Sequence, residues 1–267
     1  MPLIKEQLDT FDELRPFVKM TVAPNGVTVG DLAFVSAQTH WSTALTPITV
    51  DNQVNSDLSV DLFQTAIGDT GQGWSTACTR GETSWLDTAG RLPANQVFVA
   101  VEAAWQVYLR SSTSTTDIAA ISINVPSIPA LQAIGQNLTW NVTVGDGITR
   151  TVSSLGAYGG LGGVTGNIPV LGQATGANYG EFSTLASGAR GATLGDPCSS
   201  GARLRVPLVF PPNINVRIKA QNGNGFTVPT CGDISYNEEV VQQPSLTAGQ
   251  YLAVRLYLRG YLCTMPV

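Results

Sequence analysis

The chain contains one histidine, His40, so any Ser-His-Asp or Cys-His relay would have to run through it. Its setting, Ala37-Gln38-Thr39-His40-Trp41-Ser42, falls at the end of a predicted strand. A histidine beside a tryptophan there reads as a structural or interface residue. Without a carboxylate cluster nearby it is also a poor seed for a metal site. The carboxylates are scattered. Glu238-Glu239 is the only adjacent acidic pair outside the N-terminal segment, and strand neighbours point to opposite faces. A glycosidase would need two carboxyls about 5–10 Å apart in a cleft. Glu102, Asp87 and Glu181 are the candidates, and nothing in their spacing joins them. The glycines of 156–163 match a dinucleotide fingerprint in composition only, without the strand-to-helix context. The sequence therefore predicts no catalytic residues, no metal and no cofactor: a chain that binds rather than catalyses.

Four cysteines, Cys78, Cys198, Cys231 and Cys263, show no C-x-x-C spacing, so zinc ribbons and redox motifs are unsupported. They allow three pairings. Cys198 and Cys231 sit in turn-like loops flanking a strand pair and are the candidates for a loop-to-loop disulfide; buried or loop thiols are the plainer reading. Among the tryptophans, Trp105 and Trp140 lie on apolar strand faces and are expected in the core. Trp41, Trp74 and Trp85 lie near loops, where aromatic rings anchor interfaces or stack on sugars. Asn137-Leu138-Thr139 and Asn141-Val142-Thr143 fit the glycosylation pattern, but both fall on the polar face of one predicted strand, where Asn and Thr belong anyway.

Only 12% of the 267 residues are charged, against about 25% in an ordinary globular domain. Gly, Ser, Thr, Asn and Gln fill the polar positions instead, a surface suited to lateral packing of subunits or to extracellular life. The net charge of −5 argues against a dedicated nucleic-acid binder, which needs clustered cations. Arg203 and Arg205, Arg217 and Lys219, and Arg255 and Arg259 are the only close pairs, and each alternates along a predicted strand. No apolar run reaches the ~18 residues of a membrane helix. The opening residues Met1 to Glu6 lack a signal peptide's apolar stretch, so the protein is expected to act where it is made or to be a mature form.

The elements that would position these residues are almost all strands. Leu3, Ile4, Leu8, Phe11 and Leu14 repeat at helical spacing, which predicts a short amphipathic helix with an acidic outer face, ended by Pro16. From Phe17 the period changes to two. Strand–turn–strand signals follow at 17–37, and Gln96–Arg110 alternates for fifteen residues, with a bend expected near Ala103-Ala104. Ile118–Val125 reads as a strand closed by Pro126 and Pro129. Asn137–Val144 and Ile148–Leu155 read as a hairpin. No credible long internal helix is expected. Near the C-terminus, Arg203–Phe210 alternates with Leu204, Val206, Leu208 and Phe210 on one side. After the Pro211-Pro212-Asn213 corner, Ile214, Val216 and Ile218 point inward, and 221–225 makes a hairpin turn into Phe226–Val228. The last strand, Tyr251–Leu262, points Leu252, Val254, Leu256, Leu258 and Leu262 inward and Tyr251, Arg255, Tyr257, Arg259 and Tyr261 outward. Two stretches break the rhythm, 68–93 and the glycine-rich 156–202. Loops longer than ~12–15 residues are commonly functional or ordered by a partner. The domain plan is an N-terminal arm (1–16), a first part of a β-sandwich (17–155), an insertion (156–202), and closing strands of the same sandwich (203–267). The fold class is all-β: a jelly-roll β-sandwich with long loop insertions and a short N-terminal helix.

The run Arg203-Leu204-Arg205-Val206-Pro207-Leu208-Val209-Phe210-Pro211-Pro212-Asn213, the strand 214–220, and Tyr251-Leu252-Ala253-Val254-Arg255-Leu256-Tyr257-Leu258-Arg259-Gly260-Tyr261 together resemble the closing strands of viral jelly-roll major capsid proteins. Those of tailless icosahedral, membrane-containing phages are most similar in style, and their short N-terminal helix is similar too. The resemblance covers a quarter to a third of the chain. It implies a structural virion protein, made in the host cytoplasm and assembling with copies of itself and other virion proteins. An internal membrane is a further implied partner, which the acidic helix fits poorly, and sequence-specific nucleic acid is not one. It also implies that the two long loops make tower or inter-subunit contacts. The outward residues of the last strand, with Trp74 and Trp85, are then candidate interface residues, against the plainer reading of a solvent face. The alternative function class is a carbohydrate-binding β-sandwich module or adhesin.

Overall fold

The computed structural model describes residues 34–84, 90–117, 128–145, 147, 149–155, 202–222, 224–236 and 239–264. Twelve strands and one helix are described: β1 (Phe34–Pro47), β2 (Gln53–Val54), β3 (Ser59–Leu62), β4 (Gln96–Arg110), α1 (Ile128–Asn137), β5 (Thr139–Val144), β6 (Arg150–Ser154), β7 (Ala202–Phe210), β8 (Val216–Gln221), β9 (Phe226–Thr227), β10 (Cys231–Tyr236), β11 (Glu239–Gln243) and β12 (Tyr251–Thr264). The predicted N-terminal helix, the Phe17–Val29 strands, Ile118–Val125 and the 156–201 insertion lie outside the described residues.

Two four-stranded antiparallel sheets dominate, ordered β1-β12-β4-β7 and β3-β8-β5-β6. Their facing sides share one core, so the all-β sandwich expected from the alternation is what forms. At its middle the buried indoles of Trp105 (β4) and Trp140 (β5) meet edge-on, centroids 5.5 Å apart. Towards one end Phe98, Phe210 and Phe63 pack as tilted rings, with centroid separations of 5.7 and 6.5 Å. β12 follows the predicted pattern: Leu252, Val254, Leu256 and Leu258 are fully buried in this core.

A transverse crease crosses the first sheet and changes what the alternation means. Opposite Arg259 and Gly260 of β12, strand β4 carries an extra residue, Val101, a β-bulge. On its other side β4 faces four residues of β7, Leu204 to Pro207, between the paired positions Arg203 and Leu208. An extra residue in a strand exchanges its two faces. Phe98 and Ala100 therefore face the core before the bulge, whereas Ala103, Trp105, Val107 and Leu109 face it afterwards. The bend predicted at Ala103-Ala104 is thus a bulge at Val101, and the unbroken Val97-to-Leu109 face does not exist. The same irregularity turns Val206 outward, 67% exposed, although its parity with Leu204 and Phe210 predicted it inside. Gly260 makes the crease sterically allowed. A Cβ there would collide with the Val99 carbonyl oxygen, and would lie 2.7 Å from Ala100 Cα.

Other departures are local. Ile128–Asn137 is a helix, missed because Pro129 and the following Asn137–Val144 alternation favoured strand. Proline is tolerated in a first helical turn, where its missing N–H would be unpaired anyway. Ala130 and Ile134, four residues apart, join the core. Asn137, expected on a strand, ends this helix and donates its side-chain N–H to the Ala133 carbonyl at 2.8 Å. Ile214 is 41% exposed, because β8 starts at Val216 and only Val216, Ile218 and Ala220 point inward. Phe226–Thr227 pairs with Gln53–Val54 and does not return along β8. His40 sits in the middle of β1, not at a strand end.

Candidate functional site

The outward side of the β1-β12-β4-β7 sheet carries most of the residues singled out above, and the chain covers much of it with its own loop. Antiparallel register puts Thr43 and Gln106 directly beside Arg255, and Trp41 and Ala104 beside Tyr257. Residues 68–84 fold back across this corner. The Trp74 indole donates to the Thr43 carbonyl at 3.1 Å, and Leu45 N–H donates to the Gln72 carbonyl at 3.1 Å. Trp41 N–H donates to Ser84 Oγ at 2.8 Å. These groups lie along the outer edge of β1, so the loop satisfies backbone that an edge strand would otherwise expose. Leu45, Trp74, Cys78 and Ala253 form a second small core beneath it, with Tyr108 and Tyr251 packed alongside.

Arg255 fastens this arrangement. Its Nε donates to Thr43 Oγ1 at 2.6 Å and its Nη2 to the Gly81 carbonyl at 2.6 Å. Further contacts reach the phenol oxygens of Tyr257 (3.2 Å) and Tyr108 (3.4 Å), and the guanidinium lies over both rings, 5.8 and 5.7 Å from their centroids. Tyr257 in turn donates to Gln106 Oε1 at 3.0 Å. A second arginine does the same for 111–117. Arg110, 3% exposed, donates to the carbonyls of Ser112, Ser114 and Asp117 and stacks on Trp74 at 5.0 Å. Thr115 N–H and Thr76 Oγ1 then stitch the two loops together at 2.9 Å.

Of the predicted interface set, Arg255 and Trp74 are therefore spent within the chain, and Tyr251 and Tyr257 are half-buried beside them. Arg259 is exposed and pairs with Glu102 at 3.6 Å. Tyr261, half-buried, stands beyond the crease between Ala37 and Val99. Trp85 lies outside the described residues. Apolar residues stranded in a Gly/Ser/Thr-rich stretch, Trp74 and Cys78, were the available signal that this loop packs on its own sheet.

His40 faces inward. Its ring meets Phe98 edge-on at 4.7 Å, and Nδ1 lies 3.1 Å from Ser84 Oγ. Burial lowers its pKa to about 4, so the imidazole is neutral at physiological pH. Ser84 Oγ is already engaged by Trp41 N–H and lies 3.4 Å from the Trp41 carbonyl. Of the three carboxylates named for a hydrolase, Glu102 is held by Arg259, while Asp87 and Glu181 lie outside the described residues. No group of three or more metal-ligating side chains occurs among the described residues.

Cys78 and Cys263 are buried free thiols, and burial pushes the Cys263 thiol up to about 11. Cys231 opens β10 opposite Gln243, and Cys198 lies outside the described residues. Trp105 and Trp140 are core residues as expected, and Trp41 is half-buried with its indole on the Arg80 carbonyl at 3.1 Å. No helix among the described residues is long and apolar enough to cross a membrane. Compared with protein-family models, curated proteins and solved structures, the chain matches none of them.

Proposed function

We propose that the chain is a structural subunit that assembles with copies of itself, a jelly-roll capsid protein of a tailless icosahedral virus. The observation that carries this reading is the strand order. Counting in chain order only the eight strands of the two main sheets (β1, β3, β4, β5, β6, β7, β8, β12), one sheet runs first-eighth-third-sixth and the other second-seventh-fourth-fifth. Two nested Greek keys would produce this order, with successive strands passing between the sheets except at the fourth-to-fifth hairpin. It joins the sequence likeness of the closing strands and the low charge of the chain.

The sheet edges fit a subunit that meets neighbours through side chains. Along Trp41–Leu45 the edge of β1 is occupied by the chain's own loop. The opposite edge, β7, is interrupted by its bulge and by Pro207, which has no N–H to offer. Strand addition is blocked at both places. Exposed Val206 at the crest of that bulge, and the Arg259–Glu102 pair with Tyr261, are among the described features available for lateral contact. The carbohydrate-module alternative would call for an exposed aromatic platform. Trp74, Trp105 and Trp140 are buried and Trp41 is half-buried, which favours assembly. Sedimentation velocity and negative-stain microscopy of concentrated protein test the reading: capsomers, shells or sheets are expected, and a strict monomer at every concentration would overturn it.

A further inference from the structure

We infer that Asn224 is a site of spontaneous covalent modification, where the Gly225 backbone nitrogen attacks the side-chain carboxamide and converts it to a carboxylate. The step needs an asparagine with an unrestrained carboxamide, followed by an accessible backbone N–H on a residue without a side chain. Residues 221–225 carry the pair twice, as Asn222-Gly223 and Asn224-Gly225, and the structure separates the two. A third pair, Asn25-Gly26, lies outside the described residues. The inference concerns a surface turn and does not rest on self-assembly.

Asn222 is held in place. It is 8% exposed, its Nδ2 donates to the Asn55 carbonyl at 2.7 Å, and its Oδ1 accepts the Asn224 N–H at 2.8 Å. Its own backbone N–H donates to the Leu58 carbonyl at 3.1 Å. Turning this carboxamide onto the peptide that follows would break both side-chain bonds and leave buried polar groups unpaired. Asn224 carries no such restraint. Its side chain is exposed, and the carboxamide holds no hydrogen bond among the described residues.

Strand register presents the nucleophile. In the β2–β9 pair Val54 stands opposite Phe226, and Val228 N–H donates to the Asn52 carbonyl at 2.7 Å. An antiparallel ladder bonds alternate residues, so the Phe226 N–H turns towards β2 and the Gly225 N–H turns away from it. Gly225 is exposed there. The same pairing favours glycine at this position: a Cβ would lie 3.3 Å from both Ser56 N and the Val54 carbonyl oxygen. The contact that keeps β9 against β2 therefore also keeps the reactive pair.

The chemistry balances with water alone. Base removes the Gly225 amide proton, the nitrogen bonds to Asn224 Cγ, and the Cγ–Nδ2 bond breaks as ammonia leaves with a proton. Water then opens the succinimide ring. Breaking its Cγ–N bond gives aspartate on the original backbone, whereas breaking the bond to the Asn224 backbone carbonyl carbon gives isoaspartate, with the chain rerouted through the side chain. Either product adds one negative charge to the turn before β9.

The test incubates the full native chain in mildly alkaline buffer, beside the same chain unfolded in urea. Peptide mass spectrometry with electron-transfer fragmentation locates each product and tells aspartate from isoaspartate. In the native chain Asn224 should convert about tenfold or more faster than Asn222, the scale of two lost hydrogen bonds. In urea the two should convert at similar rates. N224Q, whose longer side chain would have to close a larger ring, should melt as the parent does and lose the product at 224 while Asn222 behaves as before. Equal native rates at the two asparagines, faster conversion of Asn222, or a native chain without product at Asn224 would each overturn the inference. The same preference persisting in urea would assign it to local sequence and overturn the role given to the fold.

Discussion

Replacing Arg255 by methionine should detach residues 68–84 from the sheet while leaving the sandwich folded. The side chain makes two short charge-assisted hydrogen bonds, to Thr43 Oγ1 and the Gly81 carbonyl, each 2.6 Å. Such bonds contribute about 1.5–3 kcal/mol apiece. Two terms reduce the total. Methionine removes the cost of holding a guanidinium away from water, and Gly81 is exposed, so its carbonyl regains a water partner. The stacking on Tyr108 and Tyr257 adds back roughly 0.5–1 kcal/mol per ring. The net is a loss of about 2–3 kcal/mol, or about 5–10 °C in melting temperature for a chain of this size. Arg255→Lys keeps the charge but not the fork, and should recover less than half of the loss. Urea denaturation gives the free energy, and limited proteolysis reads the loop: a local loss of about 2 kcal/mol raises the open population, and cleavage within 68–84, about thirtyfold. Arg259→Met is the control. It removes an exposed pair 3.6 Å long, worth no more than about 1 kcal/mol. Should Arg255→Met denature within about 0.5 kcal/mol of the parent with unchanged cleavage, the clamp assigned to Arg255 is wrong.

Gly260→Ala forces a methyl group onto the Val99 backbone and should cost about 3 kcal/mol or prevent folding, measured by urea denaturation or soluble yield; a melt within 2 °C of the parent (about 1 kcal/mol) would refute the steric reading of the crease. Gly249→Ala, in open space at φ +86°, should cost only about 1–2 kcal/mol through its backbone conformation. His40 makes stability fall in mild acid. Its folded pKa of about 4 lies below the usual 6.5, so the unfolded chain binds the proton first; the contribution is full above pH 6.5 and is lost as pH drops towards 4. The loss is about 1 kcal/mol per pH unit across that window, and His40→Asn should remove that slope from a pH series of urea melts. Cys78 and Cys263 should resist thiol reagents in the native protein and label once it is unfolded, with mass spectrometry locating the modified residues.

The sandwich was legible in the sequence because burial on one side of a strand writes itself as period two. β12 demonstrates this: its inward leucines and valine were assigned correctly from spacing alone, as were the turn at Gly145 (φ +61°) and the β5–β6 hairpin it joins. α1 was hidden because Pro129 also suits a strand end and the residues that follow, 137–144, alternate as a strand does.

What spacing could not reveal is where parity changes. Both faces of β4 are apolar enough that Val97 to Leu109 reads as one continuous stripe, yet an extra residue at Val101 exchanges the faces midway. The only trace in the sequence is Gly260, a glycine inside an otherwise bulky strand, and its meaning depends on the Val99 backbone it must clear on another strand. The outward stripe of β12 shows a related limit. Tyr251, Arg255, Tyr257, Arg259 and Tyr261 share one parity, but parity distinguishes inside from outside and not solvent from a covering loop. Arg255 is half-buried and held by residues 68–84, more than 170 positions earlier in the chain, while Arg259, four residues further along the same strand, is exposed. A polar stripe on a strand therefore identifies a face. Its role as interface, solvent face or seat for the chain's own loop is decided by non-local contacts, and here the Trp74 and Cys78 anchors make that decision for the half of the stripe above the crease.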